Sequence, residues 1–325
     1  MKTKLIHSAL PLLGGVALGL AIPLFQSATD PEPGSSPKSE LPFCTVSPTV
    51  PTEVTFAGEL VDLTRADMRE RMDRELCSFT YTHSTTMLII KRANRYFPIV
   101  EPILQAEGVP DDFKYLMAIE SNLDQRASSP VKACGMWQFM ESTAKSYGLE
   151  VNANVDERYN LQKAPRAACR YLKSAYAKYH DWLTVAASYN GGQARISQGL
   201  SRQRVEKATD LWLASETSRY MFRIMALKEV FSDPVRYGFA LRREQLYPQI
   251  PCKQETVTSS IADLAVFARQ HGLTVAQLKE ANPWLREYSL HNKSGKKYVI
   301  DIPDAAALRY DPKQTKAHNS RWVID

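Results

Sequence analysis

The chain has 325 residues, room for two domains with appendages, and 44% hydrophobic against 23% charged residues excludes a disordered polymer. A formal net charge of +6 suits an anionic surface such as a cell wall; without a clustered patch it is too weak to argue nucleic acid. Five scattered cysteines with no C-x-x-C exclude a zinc ribbon, and six histidines with no i,i+4 pair offer no metal or cofactor site.

Lys2 and Lys4 precede an uncharged run over residues 8–25, so residues 1–28 read as a secretory signal or an N-terminal membrane anchor. The Pro/Ser-rich composition that follows marks residues 29–58 as a flexible linker. From about residue 60 to 238 the pattern is helical throughout. Leu88, Ile89, Ala93, Tyr96, Phe97, Val100 and Leu104 predict a helix over 86–105, with Pro98 and Pro102 breaking or kinking it. After Gly108 a new helix opens at Asp111 or Asp112. Residues 163–179 carry an i, i+3, i+4 stripe, residues 182–189 form a shorter helix stopped by Gly191-Gly192, and 216–231 form another.

Beyond Pro251 the character changes. Two short helices are expected at 260–271 and 275–282, separated by Gly272, then a strand over 297–302. This is a small separate module, 252–304, followed by a polar, frayed tail over 305–325. Because all four blocks described below precede Pro248, the sequence alone makes the module look removable.

In the helix opening at Asp111, Phe113, Leu116, Met117 and Glu120 stand at i, i+3, i+4 and i+7. A carboxylate is thereby placed on the apolar face at the negative end of the helix dipole, and burial and dipole both raise its pKa. Two readings follow: a core-edge acid paired with an arginine or a tyrosine hydroxyl, or a protonated general acid for glycoside cleavage.

Around it the chain carries Glu120-Ser121, then Gly135-Met136-Trp137-Gln138-Phe139-Met140, then Ala187-Ser188-Tyr189-Asn190-Gly191, then Glu216-Thr217 with Tyr220. These four blocks, in order over about half the chain, resemble the soluble-lytic-transglycosylase-like family, most closely its membrane-bound transglycosylase D type. The resemblance implies a mainly α, lysozyme-like catalytic domain over 59–247. It implies Glu120 as the single catalytic acid/base, with Ser121, Met136, Gln138, Tyr189, Asn190 and Tyr220 binding substrate. Within that implied set Ser121 orients the carboxylate or leaving sugar, Met136 lines the groove, and the Tyr189 hydroxyl points toward Glu120. Each also has a plain structural role open to it: Tyr189 as core, Gln138 as a helix cap, Asn190 as a C-cap residue. Asp124 would share the face of Glu120 if its helix continued.

Residues 253–303 look like a degenerate LysM module, a small α+β fold whose family binds glycans; its usual opening is reduced here to Glu255-Thr256-Val257-Thr258. The implied activity is cleavage of the β-1,4 bond between N-acetylmuramic acid and N-acetylglucosamine, leaving 1,6-anhydro ends, without metal or cofactor. The implied partner is peptidoglycan in the periplasm or cell envelope. The alternatives are a lysozyme-like hydrolase using water and a non-catalytic wall-binding adaptor. Export would permit disulfides, and a bridge between Cys134, beside the catalytic loop, and Cys169 is expected.

Overall fold

The computed structural model describes residues 45–325, so the signal or anchor expected at 1–28 and most of the expected linker lie outside the described residues. Residues Ser47–Asp325 form one compact unit. Among the described residues, no helix is long and apolar enough to cross a membrane.

The first element is one the helical reading missed. Strands β1 (Glu53–Phe56) and β2 (Glu59–Asp62) pair antiparallel across Ala57-Gly58. Both turn residues have positive φ, 53° and 83°, which matches the twist a two-residue hairpin needs. Val54, Phe56, Val61 and Leu63 alternate into the core, so the packed chain begins inside the stretch expected to be linker.

Helices α1 (Ala66–Tyr81), α2 (His83–Ala106), α3 (Phe113–Ser121) and α4 (Glu141–Ser146) follow. Next come α5 (Lys163–Tyr179), α6 (Trp182–Gly191), α7 (Gln193–Gln203) and α8 (Ser215–Ser232). Pro98 and Pro102 do not break α2, which is helical through both. Each proline forgoes a backbone bond, but Ile89, Ile90, Ala93 and Phe97 on one side and Val100, Ile103 and Leu104 on the other are all buried. Burying side chains of this size stabilises by about 1.5–3 kcal/mol each, enough to outweigh the proline penalty of about 3 kcal/mol.

The C-terminal module consists of β3 (Cys252–Val257), α9 (Leu264–Gln270), α10 (Val275–Ala281) and β4 (Tyr298–Pro303), with β3 and β4 antiparallel from Cys252–Pro303 to Val257–Tyr298. Helix α9 is shorter at its start than the pattern suggested, because Asp263 caps it by accepting from the Ala265 and Val266 amides.

The module packs against the helical part. Cys134, Val155 and Tyr159 of the helical part lie in the same buried cluster as Leu264, Leu278, Trp284, Leu285 and Ile300. Nor is the tail frayed at its end: Trp322 is 2% exposed and its ring packs edge-on against Phe97 and Phe231. The Trp322 indole N–H donates to the Phe231 carbonyl at 3.0 Å, and Ile324 N–H donates to Leu241 O at 2.9 Å. The composition of the tail is polar, but one large aromatic side chain offsets the entropy of ordering it.

The expected Cys134–Cys169 disulfide is absent; both are free, buried thiols. Cys134 sits in the module-side cluster and Cys169 in the main core, so the loop and helix α5 face different interiors. Burial pushes the Cys169 thiol up to about 12, which keeps it an unreactive core residue.

Candidate active site

Helix α3 delivers Glu120. Phe113, Leu116 and Met117 are fully buried, and the same face brings Glu120 to the helix end, partly exposed. Asn122 and Leu123 then adopt left-handed φ of 51° and 56°, which stops the helix and reverses the chain. Asp124 is therefore not on the face of Glu120. It leaves the helix and caps the next turn, accepting from the Arg126 amide at 2.9 Å.

Helix α8 brings the partner. The Tyr220 hydroxyl donates to Glu120 Oε1 at 2.5 Å, and Tyr220 is 6% exposed. Burial raises the Glu120 carboxyl from 4.5 to about 7. The Tyr220 hydrogen bond and the Arg223 charge pull it down, and Glu216 adds a smaller upward push. Burial and the adjacent carboxylate push the Tyr220 hydroxyl well above 10, so it stays a donor. At neutrality Glu120 can both hold and release a proton.

Of the remaining expected residues, Met136 and Gln138 lie on one loop and Tyr189 bonds to it, and several differ in role from expectation. Tyr189 does not bond to Glu120; its hydroxyl donates to the Trp137 carbonyl at 2.7 Å and so ties α6 to the loop. Gln138 has φ 47°, and its amide Nε2 donates to Gly135 O at 2.7 Å and Ala127 O at 3.3 Å. Its Oε1 finds no donor among the described residues. Ser121 turns away from the carboxylate, its Oγ donating to Met117 O at 3.2 Å on its own helix. Met136 is buried in the main core. Asn190, at the end of α6, is partly exposed and makes no hydrogen bond through its side chain to a described residue. Gly135 is required where it stands: φ is 75°, and a Cβ would lie 2.0 Å from the Arg158 carbonyl oxygen.

Two supporting groups escaped the sequence reading. Glu75 on α1, 0% exposed, receives Arg219 Nε at 2.5 Å and Nη2 at 3.2 Å, with Arg223 Nε 3.9 Å away. This bidentate pair pins α8 one residue before Tyr220, and the same carboxylate lies 3.9 Å from Arg223, the arginine whose charge moderates Glu120. The buried Arg158 ties down the Gln138 loop through Lys132 O at 2.9 Å and Phe139 O at 3.1 Å. Signals existed only as isolated charges in helical or loop sequence, 144 residues from their partner in the case of Glu75.

Two stretches of the chain match models of known domain families. Residues 98–211 match the model of the transglycosylase SLT domain, and residues 253–306 match the soluble lytic transglycosylase C-terminal LysM-like domain. The chain is similar to membrane-bound lytic murein transglycosylase D of Escherichia coli (strain K12), with 28% identity over 238 residues, 72% of this chain and 51% of that protein. It is also similar to membrane-bound lytic murein transglycosylase F of Klebsiella pneumoniae, with 26% identity over 66% of this chain and 42% of that protein. A solved lytic transglycosylase Slt from Pseudomonas aeruginosa aligns over 53% of this chain and 29% of its own, at 19% identity and a TM-score of 0.40. The chain thus spans about half the length, or less, of these two curated relatives. Tyr220 lies beyond the matched SLT segment.

Proposed function

With a transglycosylase SLT domain and a LysM-like companion domain in the chain as the premise, we propose that it cleaves peptidoglycan at the β-1,4 bond between N-acetylmuramic acid and N-acetylglucosamine. The product is a 1,6-anhydro-muramic end. The observation that carries the reading is Glu120, a carboxyl raised to about 7 and held on one oxygen by Tyr220. Hydrolysis by the usual routes requires two carboxylates flanking the bond, whereas intramolecular closure needs one group that is acid first and base second.

Protonated Glu120 donates to the glycosidic oxygen. The N-acetyl carbonyl of the muramic acid assists at C1 as the bond breaks. Ionised Glu120, its charge met by the Tyr220 hydroxyl, then takes the proton from the C6 hydroxyl, which closes on C1. Gln138 Oε1 and the Asn190 amide, without a hydrogen-bond partner among the described residues, are the groups offered to sugar amides and hydroxyls. Tyr189, through Trp137, holds the loop that presents Gln138. Ser121 and Met136 support the site from within the helix and core. This chemistry calls on no metal or cofactor. The substrate locates the protein in the cell envelope, in keeping with the membrane-bound relatives; export or anchoring is assigned to residues 1–28.

One observation favours a second reading. Glu216, one turn before Tyr220 on α8, is the carboxylate whose charge reaches Glu120, and it is exposed. Were it to align a water, the enzyme would hydrolyse. Mass spectrometry of purified peptidoglycan digested by the protein separates the two. Anhydro ends, one water lighter than reducing ends, are expected from the wild type and from Glu216→Gln; reducing ends alone would reject the transglycosylase reading.

A further inference from the structure

The C-terminal module reaches the active-site loop through a short, continuous path. Its segment after α10 lays backbone against residues 154–156: Asp156 N–H donates to Trp284 O and Arg286 N–H to Asn154 O, both at 2.9 Å. The Asn154 side chain adds two bonds, donating to Ser289 O at 2.8 Å and accepting from His291 N–H at 2.9 Å. Tyr298 on β4 donates to Glu150 at 3.0 Å, Lys296 pairs with Glu150, and Arg286 lies 4.6 Å from the centre of the Tyr159 ring. Val155 and Tyr159, on either side of these contacts, are sealed in the module's own core.

Between Val155 and Tyr159 sits Arg158. Its Nε and Nη2 grip the Asp156 carboxylate at 2.9 and 2.7 Å, and its Nη1 holds the carbonyls of Lys132 and Phe139. Those two carbonyls bracket Gly135 and Gln138. Gln138, at φ 47°, occupies a conformation that persists only when its surroundings enforce it. Only a planar, five-donor guanidinium can grip a carboxylate with two nitrogens while a third serves two carbonyls.

We propose that the LysM-like module serves catalysis by bracing the Gln138 loop, with Arg158 as the positioning residue that transmits the module's docking to the groove. The role in substrate handling rests on the groove assignment made above; the brace itself does not. The module is therefore a working part of the catalytic unit as well as any glycan binder it provides. Removing residues after Tyr247 would also remove Trp322 from the main core, so truncation tests two things at once.

The test uses point variants of the full chain. Asn154→Ala removes two bonds to the module and touches no loop residue. Arg158→Lys keeps the charge and loses the fork. Amide hydrogen exchange, without substrate, is followed at Gly135, Gln138 and Phe139, with α8 amides as the control for global loosening. Loss of two hydrogen bonds predicts about tenfold faster exchange in the loop for Asn154→Ala, more for Arg158→Lys, and no change in α8. On peptidoglycan strands KM should rise while the pH profile of kcat, set by Glu120, stays put. Folded variants with wild-type loop exchange would overturn the brace. Faster exchange with unchanged KM, in a protein whose wild type is active, would overturn its role in substrate handling. A wild type inactive on peptidoglycan would reject the proposed function, and the exchange data would still decide the brace.

Discussion

Replacing Glu120 by glutamine keeps the side chain's shape and removes both its charge and its proton. The folded carboxyl sits at about 7 against an ordinary 4.5, so between those values the folded state binds more protons than the unfolded chain. Wild-type stability therefore falls as pH rises from 4.5 through about 7, and is lowest, as far as this group is concerned, above that range. At 1.36 kcal/mol per pH unit the interval amounts to at most about 3 kcal/mol. Glutamine escapes this loss and can still accept from Tyr220. The expected outcome is a variant whose advantage over wild type grows by about 2–3 kcal/mol between about pH 5 and pH 8.5, read from urea unfolding at each pH. Turnover should fall by about 10²–10⁴-fold or more, because one residue supplies both proton transfers. A stability difference that does not vary with pH would refute the raised carboxyl, and retained turnover would remove Glu120 from the mechanism.

Tyr220→Phe removes the bond that favours the ionised carboxylate. The basic limb of kcat/KM should move up by about 1–2 pH units, since hydrogen bonds to charged groups contribute about 1.5–3 kcal/mol; an unmoved limb would show the bond to be idle. Gly135→Ala drives a Cβ into the Arg158 carbonyl at positive φ, and should cost about 3 kcal/mol or more in urea unfolding. Trp322→Ala should cost about 3–5 kcal/mol if the tail is docked as described, whereas a frayed tail would give no change in the denaturation midpoint.

Much of this protein is written locally. Helical periodicity placed α5, α6 and α8 to within a residue or two, because an apolar stripe at 3.6-residue spacing has one economical solution, burial on one side. The spacing of Phe113, Leu116, Met117 and Glu120 marked the misplaced carboxylate, and the four ordered blocks marked its company. Other features could be decided only by packing. Pro98 and Pro102 read as breaks or kinks, and the buried residues on both sides keep α2 continuous. Asp124 looked like a neighbour of Glu120 until two left-handed residues turned the chain. The hydrogen bonds of Tyr189 and Gln138 go to backbone carbonyls, Tyr189 to Trp137 and Gln138 to Gly135 and Ala127, partners that no side-chain pattern encodes. The tail's docking, the Glu75–Arg219 pin and the Arg158 path from the module to the loop all join residues far apart in sequence. Their energetics depend on desolvation and on geometry fixed by other elements, so a lone Glu or Arg in the sequence looks the same whether it is buried in such a pair or free in water.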